Sequence, residues 1–260
     1  MTWNIRTGGR DGADPSRLDR VVEVVAAHRP DVLALQELRD FHRDGRMTRV
    51  AAALGMRAYL ARAWFGQSVA VLVRPSGRVL RVAPVRRPFH HAAQRVVVAT
   101  DAGPLTVIGT HLQPYAGSRR LREAGWLAAA SRMDGLGLLL GDLNTLDPWT
   151  GHDERVRRLP PAYRRRHLRS DGVTVDTRAV AALHRAGYVD LFRLVGAGPP
   201  ATVPTAYGGV EFSDMRLDYL LATPAAARLA RRCVVVRDAG TDRASDHYPV
   251  LAELDLTLTD

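Results

Sequence analysis

The chain has 260 residues, 46% of them hydrophobic and 25% charged, enough to bury a core without disulfides or metal staples and close to the globular average. No stretch approaches the roughly 18 uninterrupted apolar residues that cross a bilayer, so neither a disordered nor a membrane-spanning chain is expected. The 37 basic residues exceed the 27 acidic ones by 10, and none is lysine. An arginine-only excess points to anionic partners, although a GC-rich coding bias explains the choice of arginine equally well; net charge bears on association and not on fold. The lone Cys233 has no disulfide partner and no Cys neighbour for zinc, which suits a reducing cytoplasm.

Residues 2–6 form a strand-like start with no room for a charged and then apolar leader. No secretion signal is expected, and a cytoplasmic location follows; the strand opens so abruptly that further residues of it could precede Met1. Asp14-Pro15 marks a helix start, with Leu18, Val21, Val22, Val25 and Ala26 at the three-and-four spacing of one apolar face. Residues 31–37 are a short apolar strand ending in Gln36-Glu37, and 47–54 a second amphipathic helix closed by Gly55. Valine- and alanine-rich runs at 68–73, 79–85, 95–99 and 105–112, parted by turns such as Pro75-Ser76-Gly77, predict an antiparallel meander.

Residues 117–133 follow as a helix with Leu121, Ala124, Leu127 and Ala128 on one face. A buried strand at 136–140, a helix at 177–186 and strands at 216–222, 234–237 and 248–256 complete the pattern. No repeat or linker divides the chain, so a single domain over 1–260 is expected. Its least regular stretch, 145–175, holds the densest arginines: Arg155, Arg157, Arg158, Arg164, Arg165, Arg166 and Arg169. Long irregular segments in compact domains are often functional.

Carboxylates, carboxamides and histidines recur where apolar strands stop: Asn4, Glu37, His111, Asp142 with Asn144, Asp218, and Asp246 with His247. One such residue is most often a turn former. Six such ends in one chain suggest a shared rim, because neighbouring strand ends bring their side chains together. Their chemistry is coherent: magnesium takes carboxylate and carboxamide oxygens while keeping several waters. Hydrolysis of a phosphoester needs a cation on the phosphoryl oxygens, a base for the water and help for the leaving oxygen. Outside this pattern, His90, His91 and His184 read as surface or loop positions, Trp3, Tyr219 and Tyr248 as packing residues, and Arg119, Arg120 and Arg122 as a solvated helix face.

The segments Thr2-Trp3-Asn4, Leu35-Gln36-Glu37, Thr110-His111-Leu112, Gly141-Asp142-Leu143-Asn144, Arg216-Leu217-Asp218-Tyr219 and Ser245-Asp246-His247-Tyr248-Pro249-Val250 together resemble the ordered motif set of the endonuclease/exonuclease/phosphatase superfamily. The resemblance spans nearly the whole chain. It implies an α/β (α+β) four-layer sandwich, two mixed and mostly antiparallel sheets packed face to face and flanked by helices. It further implies magnesium, or manganese, at Asn4, Glu37 and Asp246, with Asp142 orienting or deprotonating the attacking water and Asn144 binding phosphate. His247 would contact the scissile phosphate with Asp218 holding its ring, and His111 matches a second phosphate-contacting histidine of the deoxyribonuclease-like branch.

The implied activity is magnesium-dependent phosphodiester hydrolysis by in-line water attack. The net charge and Arg164, Arg165 and Arg166 favour a nucleic acid, DNA or RNA, as the anionic substrate. An aromatic content of 6% offers little sign of stacking platforms, and a small-molecule or lipid phosphoester is the alternative. Ser213-Asp214-Met215-Arg216 departs from the inositol-phosphatase pattern, and the full set of motif residues speaks against a catalytically silent scaffold. A monomer is expected.

Overall fold

The computed structural model describes residues 1–10 and 16–257. Thirteen strands are found among them: β1 (Thr2–Asn4), β2 (Val32–Leu38), β3 (Arg57–Ala61), β4 (Ser68–Val73), β5 (Val79–Pro84), β6 (Ala93–Thr100), β7 (Gly103–His111), β8 (Leu136–Asp142), β9 (Val189–Asp190), β10 (Gly196–Ala197), β11 (Asp218–Ala222), β12 (Ala230–Val235) and β13 (Val250–Leu254). They form a seven-stranded sheet, β10-β12-β13-β1-β2-β4-β3, and a six-stranded sheet, β5-β6-β7-β8-β11-β9. Within them β1/β2, β7/β8 and β10/β12 run parallel and the other pairs antiparallel. Both sheets are therefore mixed and mostly antiparallel, as the resemblance implies.

The sheets pack face to face, with Ala34, Val71 and Val73 of one against Val107, Leu138 and Leu140 of the other. Helices cover the outer faces. Val21, Val24 and Val25 of the helix Ser16–His28 pack on Leu33, Leu35 and Leu72. On the other side, Ala124 and Leu127 of the helix Gly117–Ala130 join Val180 and Leu183 of the helix Arg178–Arg185 over Ile108, Leu139 and Leu221. A central strand covered on both faces reads as a continuous apolar run, which is why Ser68–Val73 and Leu136–Leu140 lack alternation.

Two of the three parallel pairs are crossover units: β1, the helix Ser16–His28, then β2; and β7, the helix Gly117–Ala130, then β8. Each unit delivers the ends of both its strands to one edge. Antiparallel neighbours add their starts: β4 beside β2, β11 beside β8, and the residues leading into β13 beside β1. The rim thus collects the ends of some strands and the beginnings of others.

Several sequence expectations are corrected. The helix start assigned to Asp14-Pro15 lies outside the described residues. The meander is interrupted: β4 belongs to one sheet and β5 to the other, so Pro75-Ser76-Gly77 carries the chain between sheets. The edge strand β3 has no strong alternation to betray it. Arg120 is not solvated but buried, and donates to the carbonyls of Gln113, Pro114 and Arg166. Segment 145–175 is ordered by short helices at Asp153–Arg157 and Pro161–Arg164, a Leu168–Val175 bridge, and a small core of Leu146, Val156, Leu159 and Met215. No helix among the described residues is long and apolar enough to cross a membrane.

Candidate active site

Three strand positions of the six-stranded sheet stand side by side, because His111 pairs with Asp142 across β7/β8 and Asp142 with Asp218 across β8/β11. All three are buried. Gly141 makes this row possible: at φ 151° it comes so close to β7 that a Cβ would lie 1.9 Å from the Thr110 carbonyl oxygen. Only glycine fits there.

His247 enters from the other sheet. Its Nδ1 is 2.8 Å from Asp218 Oδ2, and its Nε2 is 3.8 Å from Asp142 Oδ2. Burial disfavours the charged ring, but the Asp218 and Asp142 carboxylates outweigh it and push the pKa up to about 10. Burial also lifts Asp218, while the His247 charge pulls it down; we assign the shared proton to the ring nitrogen, the more basic group in water. His247 is thus cationic at neutral pH. Trp3 is fully buried beneath it and donates its indole N–H to the His247 carbonyl at 2.8 Å.

Asp142 is the hub. Its Oδ2 accepts from Asn4 Nδ2 at 3.0 Å and lies 3.3 Å from His111 Nε2, while Oδ1 accepts the Asn144 backbone N–H at 2.8 Å. Burial opposes ionisation, yet the His111 and His247 charges hold this carboxyl far below the usual range. For His111, burial again disfavours charge and Asp142 overrides it, raising the pKa. The Asn144 amide nitrogen touches the same Nε2 at 2.9 Å and is oriented by the Leu112 carbonyl; full protonation of His111 requires that contact to give way.

Glu37 and Asn144 both adopt left-handed backbone, at φ 60° and 49°. Strain of this kind concentrates at functional positions. Glu37 is held by three donors: Asn4 Nδ2 at 3.2 Å, Thr7 N at 2.8 Å and Gln67 Nε2 at 2.7 Å. Burial raises the Glu37 carboxyl, but the His111 charge and these donors bring it below its ordinary value. Asp246 lies 3.5 Å from Arg6 Nη1, and burial together with the Glu37 charge lifts its carboxyl. Two hard oxygen donors that repel one another are the arrangement a divalent cation relieves.

Asn4, expected as a metal ligand, sits between two carboxylates. Its amide nitrogen, not its oxygen, faces Glu37 and Asp142, and its oxygen accepts from Arg6 N at 3.0 Å. As placed, Asn4 orients the Glu37 and Asp142 carboxylates. Atoms of Asp142, Asp218 and His247 also fall within 4.8 Å of one another and could hold a metal ion. The His247 to Asp218 hydrogen bond already fills that gap, and a cationic ring repels a second cation.

Sequence reasoning missed Gln67 and misread His91. Far from being a surface residue, His91 is buried and stacks on His111 with centroids 3.8 Å apart and planes within 1°. Its Nδ1 accepts the Gln67 N–H at 2.9 Å, so one ring supports both His111 and the residue that grips Glu37. Burial and the His111 charge hold its pKa well below the ordinary value. The signal for Gln67 was a polar residue just before an apolar strand, since β4 starts at the rim where β2 ends. His91→Phe keeps a flat ring but strands the Gln67 N–H, so a loss of about 1–3 kcal/mol of stability is expected; an unchanged urea midpoint would show that this bond carries nothing. His184 is exposed on its helix as expected. Tyr219 and Tyr248 pack as expected, with hydroxyls bound to the Thr145 and Arg216 carbonyls and to Asp242.

Of the loop arginines expected to bind substrate, Arg164 is instead a brace, donating to the Arg157 and Leu159 carbonyls at 2.7 and 2.9 Å. Arg166 lies over the Tyr163 and Tyr115 rings at 4.7 and 5.5 Å, and Arg165 is exposed.

A sequence model of the Endonuclease/Exonuclease/phosphatase family matches residues 1–247. The chain belongs to this family. It is accordingly a phosphoester hydrolase of a metal-dependent family. Comparison with curated protein sequences gives no match. Among solved structures, an AP endonuclease from Archaeoglobus fulgidus is similar at 18% identity and TM-score 0.67, with 98% of each chain covered. A 3' phosphatase from Neisseria bound to product DNA hairpin shows 21% identity and TM-score 0.67, again with 98% of each chain covered. A mannosyl-6-phosphatase from Bacteroides thetaiotaomicron shows 16% identity and TM-score 0.67 over 98% of each chain.

Proposed function

We propose that the protein is a magnesium-dependent nuclease that hydrolyses phosphodiesters of DNA or RNA by in-line water attack. The observation that carries the hydrolytic reading is Asp142, an ionised buried carboxylate with cationic His247 on one side, His111 on the other and Glu37 across Asn4. In this reading Glu37 and Asp246 hold the metal, which when bound supplies positive charge to the phosphoryl and leaving oxygens.

The remaining work falls to the chain's own groups. The Nε2 atoms of His247 and His111 face Asp142 at 3.8 and 3.3 Å, and each can turn an N–H to a phosphate oxygen, His111 once its Asn144 contact gives way. As they do, Asp142 loses its stabilising donors and becomes more basic at the moment a water must be deprotonated. Asn4 keeps a donor on Asp142 and fixes its plane, and Asp218 fixes the ring of His247. Charge that builds on the phosphorus oxygens meets a preformed imidazolium, which is the differential stabilisation that counts for rate.

Two observations support nucleic acid as the substrate. The chain carries a charge of +10 with arginine as its only cationic side chain besides histidine. Two similar folds are an AP endonuclease and a 3' phosphatase bound to DNA. Surface cations that track a phosphate backbone make binding steeply salt-dependent. The mannosyl-6-phosphatase likeness favours a small sugar phosphate as the second reading.

The test is direct. Plasmid, single-stranded DNA, RNA, a chromogenic phosphodiester and a sugar phosphate are each incubated with magnesium, then with EDTA. Nucleic acid is expected to be cut, with at least a hundredfold loss in EDTA. Consumption of the sugar phosphate alone, with all nucleic acids intact, would move the protein to the second reading.

A further inference from the structure

We infer that Trp64 and Phe65 form a stacking subsite for a nucleobase of the substrate strand, with Arg62, Arg86 and Arg87 anchoring its phosphates. The inference rests on the nucleic-acid reading above and extends it to a place beside the catalytic row. Trp64 and Phe65 are 86% and 79% exposed, large apolar rings left in water on adjacent residues. Scattered apolar side chains on a surface need no explanation. These two instead stand at the mouth of a cavity of about 880 Å³ whose walls include Arg62, Arg86, Arg87 and His91.

The cavity is built for an anion with a flat, apolar part. Among the described residues no carboxylate lines it. Arg62, Arg86 and Arg87 are exposed, and no ion pair or side-chain hydrogen bond engages them among the described residues. Flat rings beside guanidinium groups are the pairing that holds single-stranded nucleic acid: bases stack while the backbone is neutralised. A membrane surface also attracts aromatic and cationic side chains, but it docks on a protruding face, whereas these rings border a hollow.

Geometry ties the hollow to the chemistry. Gly66 N donates to the His90 carbonyl at 2.7 Å, and a Cβ on Gly66 would lie 2.5 Å from His91 Nδ1. The aromatic loop is therefore clamped against the β5–β6 connection, a rigid base for stacking. The next residue, Gln67, binds His91 through its backbone and Glu37 through its side chain. His91, in the cavity wall, stacks on His111. A base on Trp64 thus belongs to a nucleotide flanking the scissile phosphate.

Full-length protein carrying Asp142→Asn, with magnesium present, is titrated with a single-stranded octanucleotide while tryptophan emission is followed. The oligonucleotide is expected to quench emission, and Trp64→Phe to abolish the quench while keeping affinity within about threefold, because phenylalanine still stacks. Trp64→Ala with Phe65→Ala is expected to weaken binding about tenfold or more. An octamer of abasic backbone should give no quench and bind the parent as weakly as the intact octamer binds the double variant. Quenching that survives Trp64→Phe, or equal affinity for base-bearing and abasic octamers, would overturn the subsite. So would a blue shift of Trp64 emission on vesicles of three parts phosphatidylcholine to one part phosphatidylserine, with no response to the octamer. If wild-type protein neither binds nor cuts any oligonucleotide, the nuclease reading falls as well; cutting that is indifferent to the double variant removes the subsite alone.

Discussion

Asp142→Asn is expected to lower kcat about a thousandfold or more while leaving KM within a few-fold. The amide preserves the volume and can still accept the Asn144 backbone N–H that reaches Oδ1 at 2.8 Å, so the turn after β8 should hold its shape. What disappears is the buried negative charge placed between His111, His247 and Asn4. Without it no carboxylate can take the water proton. His247 and His111 are freed for the phosphate, so ground-state binding should not suffer. Steady-state kinetics on a cleaved nucleic acid decides the matter: a loss confined to KM, or a kcat change below tenfold, would take the base role away from Asp142.

The second large effect concerns His247. Replacing it with glutamine removes an imidazolium aimed at the developing phosphate charge, and a loss of about 10²–10³ in kcat is expected, the scale found when one preorganised donor is deleted. A subtler variant separates charge from position. With Asp218 in place the ring keeps its proton up to about pH 10, so activity that needs the cation persists below that value and is lost as pH rises through it. Asp218→Asn withdraws the main attraction and lets burial prevail. The alkaline limb of the rate profile should then move down toward neutrality, while the acid limb stays. A profile that keeps its alkaline limb would mean that the ring acts in its neutral form.

Much of this centre could be read from residue order, because apolar strands ending in Asn4, Glu37, His111 and Asp142 are a linear trace of two crossover units with a common edge. Asp218 was legible for the complementary reason that it begins a strand antiparallel to β8. Gln67 obeys the same rule at the start of β4, yet a polar residue ahead of a strand looks like any loop residue until the pairing is known. His91 was hidden more deeply. Its environment is made by His111 and Gln67, residues 20 and 24 positions away, and nothing local distinguishes it from its half-exposed neighbour His90. Trp64 and Phe65 were counted in a low aromatic total, which says how many rings exist but not where they lie. For Arg164 and Arg166 the cationic run suggested a free surface and could not show the tertiary contacts that engage them.

The first strand is tied to the residues leading into the last by two bonds, Trp3 Nε1 to the His247 carbonyl and Ser245 Oγ to the Asn4 carbonyl, spanning 244 and 241 positions of sequence. Residues 245–247 must therefore be in place before the His247 ring can join the row of His111, Asp142 and Asp218. A chain truncated before Ser245 would lack both Asp246 and His247, two of the groups proposed to act on the phosphoester.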